Sequence, residues 1–231
     1  MRSLGIFSSG YYGAFDPSSF GMTFQNIWWA DDPFLGYNDA DNVTTVAPYV
    51  GADTLTEAGA GATTFRSTSA SMNNRSVFEM GSTSRLYVAP TVGVCHGGVI
   101  VFRQRTVISQ AGLVSSGSNT RIKNNGITGY QMRYNGGTTL SSPIDPDTST
   151  HIIAWYFDDS GNEIMNLDGV EVINGASADS GSGMLNFQLN YDNSVYGNSD
   201  YGLVCSTTGD PTADPNWASF LAATKTYYGI P

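Results

Sequence analysis

Residues 151–175, HIIAWYFDDSGNEIMNLDGVEVING, have the pattern of three consecutive β-strands. The stretch begins with a strand candidate that is apolar at nearly every position and continues, after a polar turn, with two shorter strand candidates. Asp168-Gly169 separates those two, and this dipeptide favours the left-handed conformation of a tight β-hairpin turn. Strand side chains alternate between faces, so one of two sets in the first strand faces the core. The alternatives are Ile152, Ala154 and Tyr156, or Ile153, Trp155 and Phe157.

Strand candidates with turn residues between them recur along most of the chain. Several alternate apolar with polar residues, as residues 185–190 do, and this period of two is typical of strands with one buried and one wet face. Only 13% of residues are charged, and the 27 glycines and many Ser, Thr, Asn and Asp suit chain reversals. The sequence therefore predicts an all-β fold, an antiparallel β-sandwich. The other strand candidates are residues 75–80, 85–90, 97–104, 106–114, 129–135, 184–191 and 201–207.

One helix is predicted near the end of the chain, in DPNWASFLAATKTYYGIP. Asp214 is a helix-capping residue, Pro215 suits the first helical position, and Gly229 is a typical terminator. The apolar residues recur at helical spacing, so one face is expected to pack against the sandwich. That face consists of Trp217, Phe220, Leu221 and Thr224.

The charge balance excludes some partners. The formal net charge is −10 and only ten residues are Lys or Arg, so we expect no basic surface able to release counterions from a nucleic acid. The first fifteen residues contain no continuous apolar segment of a signal peptide, and no stretch is long enough to span a membrane. We therefore expect synthesis in a cytoplasm, with Cys95 and Cys205 as buried free thiols rather than a disulfide.

Three further segments place the hairpin in a family pattern. An aromatic strand leads into an Asp-rich turn in residues 26–46, NIWWADDPFLGYNDADNVTTV. An Asn-Arg pair precedes an apolar strand in residues 64–88, TFRSTSASMNNRSVFEMGSTSRLYV. The chain ends in YYGIP. With residues 151–175, these segments resemble the laminin-G-like, concanavalin-type jelly roll, in the versions found in bacteriophage structural proteins. The resemblance covers residues 24–231, which we assign to one domain, and residues 1–23 form an N-terminal arm or edge strand.

This resemblance implies a non-enzymatic structural protein of a bacteriophage virion, made in the cytoplasm of the host bacterium. A minor tail protein is the first interpretation, with other virion proteins as partners in a multi-copy assembly and host-surface glycans as a further partner. The alternatives are a capsid decoration protein and a soluble carbohydrate-binding lectin module.

Catalysis is weighed because concanavalin-like folds include glycan-cleaving enzymes. A retaining glycosidase needs two carboxylates about 5 Å apart, which on a strand means two acidic residues at alternate positions. The glutamates of this chain lack such a neighbour. His96 directly follows Cys95, so their side chains point to opposite faces of a strand and do not form a dyad. We therefore expect no enzymatic activity. The glutamates are Glu57, Glu79, Glu163 and Glu171.

Ligand-binding candidates come from tyrosines interspersed with amides. Sugar C–H faces stack on aromatic rings, while amide and carboxylate groups bond to hydroxyls. The segment NYDNSVYGNSDYG offers this combination, and so does GYND. The alternative is that the tyrosines cover the core and the asparagines turn the chain. The candidate residues are Tyr37, Tyr191, Asn193, Tyr196, Asn198 and Tyr201.

We expect no cofactor, and a calcium site is the alternative that the sequence offers. Several aspartates crowd a single predicted loop, and hard oxygen ligands suit Ca²⁺. Laminin-G-like modules often carry calcium in such loops, as the resemblance implies. The alternative is that each aspartate caps a turn through its own backbone bonds. The candidate ligands are Asp31, Asp32, Asp39 and Asp41.

Overall fold

A computed structural model describes residues 15–88, 95–116, 120–126, 128–158, 160–176, 184, 187–192 and 194–231. These residues form short antiparallel strands, one α-helix, and two 3₁₀ turns at Ala70–Met72 and Pro211–Ala213. The elements are β1 Asn26–Trp29, β2 Asn42–Val43, β3 Thr45–Val46, β4 Leu55–Glu57, β5 Thr63–Ser69, β6 Arg75–Met80, β7 Leu86–Val88, β8 Gly97–Gln104, β9 Gly112–Ser116, β10 Thr120–Asn124, β11 Tyr130–Arg133, β12 Leu140–Ser141, β13 Thr150–Phe157, β14 Asn162–Leu167, β15 Val170–Ala176, β16 Phe187–Leu189, β17 Tyr191–Asp192, β18 Val195–Tyr196, β19 Ser199–Thr207 and α1 Trp217–Tyr228.

The strands form two packed antiparallel sheets, which confirms the predicted β-sandwich. Sheet A has the order β15-β14-β13-β8-β19-β6-β5-β2, with β1 paired to the second half of β19. Sheet B has the order β12-β11-β10-β9-β16-β7-β4-β3. Strands β17 and β18 form a separate hairpin. We call the two sheet faces that pack against each other inner and the opposite faces outer.

Most of residues 151–175 lie in β13, β14 and β15, at one edge of sheet A. Asp168 and Gly169 both have positive φ, 52° and 95°, as a two-residue hairpin turn of this hand requires. Neither alternative for the core-facing set of β13 is sufficient. Ile153 and its alternate partners face sheet B, whereas Ile152 and Ala154 lie in a second core on the outer face. Sheet A is therefore buried on both sides along its central strands.

The first hydrophobic core lies between the two sheets. Phe187 of sheet B stacks between two tryptophans of sheet A, with ring centroids 5.7 Å from Trp28 and 6.1 Å from Trp155. Such offset stacking adds to the free energy gained by burying the rings. The Trp28 Nε1–H donates to Asp53 O at 2.9 Å, so this large side chain is buried with its polar atom satisfied.

The second core lies between the outer face of sheet A and helix α1. Phe220 and Tyr228 of the helix pack against strand residues such as Leu203 and Val101. The helix begins at Trp217 rather than at the predicted Pro215, because Asp214 Oδ1 accepts the Asn216 N–H in a turn before the first helical residue. Its end is as predicted, at a Gly229 with φ 69°.

The described part of the predicted arm also joins this second core. Phe15 stacks on Tyr227 with ring centroids 4.5 Å apart, and Phe20 meets Phe220 edge to face at 5.7 Å. The arm residues 1–14 lie outside the described residues, and the boundary at residue 24 stays a prediction. Among the described helices, none combines the length and hydropathy of a membrane span.

Both cysteines are buried and free, which confirms the expectation of thiols. Cys95 lies in the core between the sheets and Cys205 in the core beneath helix α1, so sheet A separates them. Burial raises the pKa of the Cys95 thiol to about 12, and it raises that of Cys205 as well. Neither sulfur is a reactive thiolate at neutral pH.

Two predicted strands differ from the structure. Residues 106–111 form a loop rather than the first half of a strand, because Gln110 adopts a φ of 63° and Ala111 N–H closes a turn on Ile108 O. Residues 187–190 are buried on both faces instead of alternating, since the hairpin β17–β18 lies over the outer face there. Residues 89, 90, 185 and 186 of the predicted strands lie outside the described residues.

Candidate functional site

A continuous polar row crosses the outer face of sheet B. Its members are aligned by direct pairing between neighbouring strands, from β11 across to β3. Apolar residues at the intervening positions, such as Ile122 and Met132, face the first core. The alternation therefore places one polar residue of each strand on the outer face. In spatial order the row is Arg133, Arg121, Ser115, Gln188, Tyr87, Thr56 and Thr45.

The hairpin β17–β18 folds over the middle of this row. Tyr191 pairs with Tyr196 across the hairpin, and their rings meet edge to face with centroids 4.9 Å apart. Ser115 Oγ donates to Tyr191 O at 2.6 Å, which fixes the hairpin on β9. Gly112 makes the approach possible, since a Cβ there would lie 2.3 Å from the Tyr191 carbonyl carbon. Both tyrosines remain half-exposed.

An arginine lies against the first of these rings. The Arg85 guanidinium carbon is 4.4 Å from the Tyr191 ring centroid, a cation–π geometry. Arg85 Nη1 donates to Gln188 Oε1 at 3.1 Å and Arg85 Nε donates to Ala58 O at 3.2 Å. These bonds hold the guanidinium in one orientation, so the aromatic pair, the cation and the amide form a preorganised group.

More cations lie beside the hairpin. Arg121 and Arg133 are directly opposite on β10 and β11, and Lys123 follows two residues along β10. The buried Asp192 carboxylate lies 3.5 Å from Arg121 and 3.9 Å from Lys123. Burial raises the pKa of Asp192 even though these cations act to lower it. Burial and the charge of Arg121 lower the pKa of Lys123.

The structure brings together only some of the predicted ligand-binding residues. Tyr191 and Tyr196 form the pair described above. Tyr201 is 0% exposed and its hydroxyl donates to Leu113 O at 3.0 Å, so it contributes to the core and not to a surface. Tyr37 lies in a different loop, with its hydroxyl donating to Thr45 O at 2.5 Å. Asn198 is half-buried beyond the hairpin, with its amide 3.4 Å from Thr106 Oγ1.

Asn193 lies outside the described residues. The ligand-binding role of each candidate stays a prediction. Sequence reasoning missed Arg85, Gln188, Arg121 and Lys123, because they come from strands distant in the chain and only the pairing of sheet B aligns them with the hairpin.

The four candidate calcium ligands point to separate partners. Asp31 Oδ1 accepts Ser76 N–H at 2.9 Å and its Oδ2 accepts the Tyr227 hydroxyl at 2.8 Å. Asp32 Oδ1 accepts Phe34 N–H, Asp39 Oδ1 accepts Ser67 N–H, and Asp41 Oδ2 accepts Asn38 N–H. Within the described ranges, no three His, Cys, Asp or Glu side chains converge as a metal site would require. The expectation of no cofactor stays a prediction, with calcium as its alternative.

Two carboxylates do lie side by side, on the outer face of sheet A. Glu79 of β6 is directly opposite Asp200 of β19, a pairing that a search for alternate positions on one strand does not detect. Arg105 lies between them, with Nη1 2.5 Å from Glu79 Oε1 and Nε 3.3 Å from Asp200 Oδ1. Arg66 and Arg103 contact the two carboxylates at 2.9 Å and 3.6 Å. Three guanidinium groups thus engage the two carboxylates in ion pairs.

The pKa values of Asp200 and Glu79 are shifted in opposite directions. Burial raises the pKa of Asp200 to about 6, and the charge of Arg105 only partly offsets it. Glu79 is more exposed, and although burial acts to raise its pKa, the bonds from Arg66 and Arg105 hold it below the ordinary value. A carboxyl group with a raised pKa beside an ionised carboxylate is also found in catalytic pairs. Here the arginines bind both carboxylates, so the arrangement is an ion-pair network.

Both ring nitrogens of His151, near the start of β13, lie within hydrogen-bonding distance of a carboxylate. Its Nδ1 lies 2.6 Å from Asp168 Oδ2 and its Nε2 lies 2.9 Å from Asp147 Oδ1. Burial acts to lower the pKa of His151, but the two aspartates outweigh it and raise the pKa. Asp168 Oδ1 also accepts Ile152 N–H at 2.8 Å, so the cluster ties the β14–β15 turn to β13.

Comparison with solved structures finds β-sandwich domains. Domain 4 of AbnA, an extracellular GH43 arabinanase from Geobacillus stearothermophilus in complex with arabinotriose, aligns over 87% of this chain and 98% of its own, with a TM-score of 0.56 and 14% identity. The chain shares the β-sandwich fold of this domain. The CBM40 of the Ruminococcus gnavus IT-sialidase, bound to α2,3-sialyllactose, aligns over 64% of this chain and 96% of its own (TM-score 0.50, 12% identity).

A third neighbour is botulinum neurotoxin type C, whose cell entry depends on interaction with two ganglioside molecules. It aligns over 81% of this chain with a TM-score of 0.53 and 10% identity, and the chain spans 51% of the toxin structure. No protein-family model and no curated protein sequence matches the chain. At these identities the likeness establishes the antiparallel sandwich and no closer kinship.

Proposed function

We propose that this chain is a non-enzymatic carbohydrate-binding module that binds glycan on the outer face of sheet B. The observation that carries the proposal is the half-exposed Tyr191–Tyr196 pair, held beside Arg85 and Gln188 on that face. Rings of this kind stack on the C–H faces of sugars, and adjacent guanidinium and amide groups bond to hydroxyls.

The rigidity of the group favours binding over mere surface decoration. The Tyr191 backbone is fixed by Ser115, and Arg85 is fixed by Gln188 and Ala58. Side chains already ordered in the free protein lose less conformational entropy when a ligand arrives, which preserves affinity in a shallow site. Arginines pair with both neighbouring carboxylates on sheet A, which argues against glycoside hydrolysis there.

The structural neighbours support this class of function by analogy alone. Their ligands include arabinotriose for the arabinanase domain and α2,3-sialyllactose for the CBM40, and the toxin interacts with gangliosides. A fold shared at this level hosts several functions, so the site itself must carry the argument.

A virion is the proposed setting of the module. The segment order that resembles laminin-G-like phage proteins over residues 24–231 supports a minor tail protein or, as the alternative, a capsid decoration protein. On a particle, many copies of a weak glycan site would act together and raise the avidity for a host surface. Mass spectrometry of purified particles that detected no copies of this chain would remove the virion from the proposal.

Substitution of the tyrosines tests the location of the site. We expect Tyr191→Ala to weaken binding to the best ligand of a glycan array by about tenfold, because stacking contributes on the order of 1 kcal/mol or more. Tyr37→Ala is the matched control, since Tyr37 was also a candidate but lies in another loop. The opposite result, loss with Tyr37→Ala alone, would move the site to that loop.

A chelator arm tests calcium in the same assay. We expect EDTA to leave binding unchanged, because the candidate aspartates bond to donors of the protein itself. Silence of the whole array, with and without calcium, would overturn the carbohydrate-binding proposal.

A further inference from the structure

The outer face of sheet B concentrates positive charge in an acidic protein. Four of the ten basic residues lie on this face, although the formal net charge of the chain is −10. An arrangement of this kind creates a local potential opposite to that of the rest of the surface. The four residues are Arg85, Arg121, Lys123 and Arg133.

The protein holds these cations in place largely with neutral oxygens. Arg133 Nε and Nη2 donate to Gly137 O at 3.1 Å and Gly136 O at 2.6 Å. Lys123 Nζ donates to Gln110 Oε1, and Arg85 bonds to an amide and a carbonyl. Such bonds fix the position of a cation without cancelling its charge. Among the described residues, the Asp192 carboxylate forms the ion pairs of this group: it lies 3.5 Å from Arg121 and 3.9 Å from Lys123, and it also attracts Arg133.

Arg121 and Arg133 are directly opposite each other on neighbouring strands, where like charges are destabilising. Asp192 attracts both guanidinium groups and offsets part of this repulsion. An anion beside the two guanidinium groups would offset the remaining repulsion through charge-assisted hydrogen bonds. Arg133 would use Nη1 and the second Nη2 hydrogen for these bonds, because Gly137 O and Gly136 O accept from its Nε and Nη2.

We propose that the ligand of this face is an acidic sugar, whose carboxylate binds at the Arg121–Arg133 pair while its ring contacts Tyr191. This rests on the proposed carbohydrate-binding function and names the class of glycan. Asp192 follows Tyr191 in the hairpin and touches Arg121, so the aromatic and cationic groups are neighbours on one surface. The negative charge elsewhere on the chain disfavours a long polyanion such as a nucleic acid, which would extend beyond the cations.

Matched neutral and acidic ligands test the proposal on the full chain. The probes are hexagalacturonate with its carboxyl-reduced counterpart, and sialyllactose with lactose, measured by calorimetry at 0.15 M salt. We expect at least one acidic member to bind about tenfold more tightly than its neutral partner, the scale of one charge-assisted hydrogen bond. A sulfated hexasaccharide serves as the comparison for anions of another kind.

Charge variants then locate the effect. We expect Arg133→Gln to abolish the preference for the acidic member, and Arg133→Lys to restore part of it, because a lysine keeps the charge but not the planar fork. Arg103→Gln, which removes one arginine from the outer face of sheet A, is the matched control and should leave the preference intact. Circular dichroism and the unfolding midpoint verify that each variant is folded.

Each result bears on the inference separately from the proposed function. Equal binding of acidic and neutral sugars, still dependent on Tyr191, would overturn the acidic ligand and leave the carbohydrate-binding module standing. Tighter binding of the sulfated hexasaccharide, or equal losses with Arg133→Gln and Arg103→Gln, would show general attraction of anions and also overturn it. Absence of binding to every sugar would overturn the proposed function itself.

Discussion

Gly98 lies directly opposite Trp155 on the paired strands β8 and β13. A Cβ at this position would be 2.7 Å from two carbon atoms of the Trp155 ring and 2.3 Å from Cys205 O, so only glycine leaves room for the indole. Trp155 is in turn part of the ring stack that joins the sheets. The absence of a side chain at Gly98 thus leaves room for one of the two tryptophans of the first core.

Substitution of Gly98 is expected to destabilise the folded protein. Gly98→Ala should lower the free energy of unfolding by about 3 kcal/mol, because the clash involves backbone and a buried ring, neither of which can move freely. Gly209→Ala is the matched control, as nothing lies within 4 Å of a Cβ there. Urea denaturation of the two variants gives the comparison. Similar small effects at both positions would show that β8 can shift away from Trp155.

Asp200 makes stability depend on pH. Its pKa is raised to about 6 in the folded chain, so between pH 4 and pH 6 the folded state keeps a proton that the unfolded state has lost. Stability from this group is therefore present at pH 4 and declines as the pH rises to 6, by up to about 3 kcal/mol. Glu79, with a lowered pKa, acts in the opposite direction below its ordinary pKa.

The variant Asp200→Asn isolates that contribution. As the pH rises from 4 to 6, the unfolding free energy of the native chain should fall relative to that of Asp200→Asn, which has no carboxyl group to titrate at this position. Urea titrations at half-unit pH intervals measure this difference. A constant offset across the range would mean that Arg103 and Arg105 keep Asp200 ionised throughout.

At the scale of elements, the turn of the β14–β15 hairpin is also a contact for helix α1. Lys225 Nζ donates to Asp168 O at 3.3 Å, and a Cβ on Gly169 would lie 2.8 Å from Leu221 Cδ2. The dipeptide that identifies the hairpin in the sequence thus has two physical reasons for its glycine. One is the positive φ of 95°, and the other is the close approach of the helix.

A double variant separates these reasons. Gly169→Ala should lower the free energy of unfolding by about 2 kcal/mol through backbone strain and the clash together. Adding Leu221→Ala removes the clash but not the strain, so the double variant should lose less than the sum of the two single losses. Thermodynamic cycles from urea denaturation measure the coupling. Strict additivity would show that the helix does not press on the turn.

Elements were predictable from the sequence where the information is local. Strands β6 and β8 have the predicted bounds, and the Asp168-Gly169 turn is as expected. Apolar runs and turn residues determine these elements without distant partners. The loop at residues 106–111 was mistaken for a strand, since its apolar residues satisfy the same pattern without pairing.

The candidate site depends on pairings that a single sequence does not reveal. Tyr191 and Tyr196 are five residues apart and could be proposed together, whereas Arg85 reaches Tyr191 only through the sheet order of β7 and β16. Glu79 and Asp200 are opposite for the same reason. Tyr201 matched the pattern of a binding residue, yet the inner face of β19 buries it, so local composition cannot distinguish a surface from a core tyrosine.

At the scale of the whole molecule, sheet A is the shared wall of two cores. Strands β8, β13 and β19 send alternate residues to each side, as Ile153 and Ile152 do on β13. The core beneath helix α1 therefore depends on sheet A. The buried residues of the helix lie against strands whose other face packs on sheet B. Loss of either core would expose the apolar face of sheet A on that side to water. Because the same strands form both faces, the stabilities of the two cores are coupled.

We accordingly expect the helix and the sandwich to unfold in one transition. Trp217 reports the second core and Trp155 the first, so two variants that retain only one or the other tryptophan provide separate fluorescence probes. Their urea midpoints, each compared with the far-ultraviolet circular dichroism of the same variant, should coincide, because strands common to both cores cannot lose one face and keep the other. A lower midpoint for the Trp217 signal than for the circular dichroism of its own variant would show that α1 leaves the sheet first, and would make sheets A and B an independent folding unit.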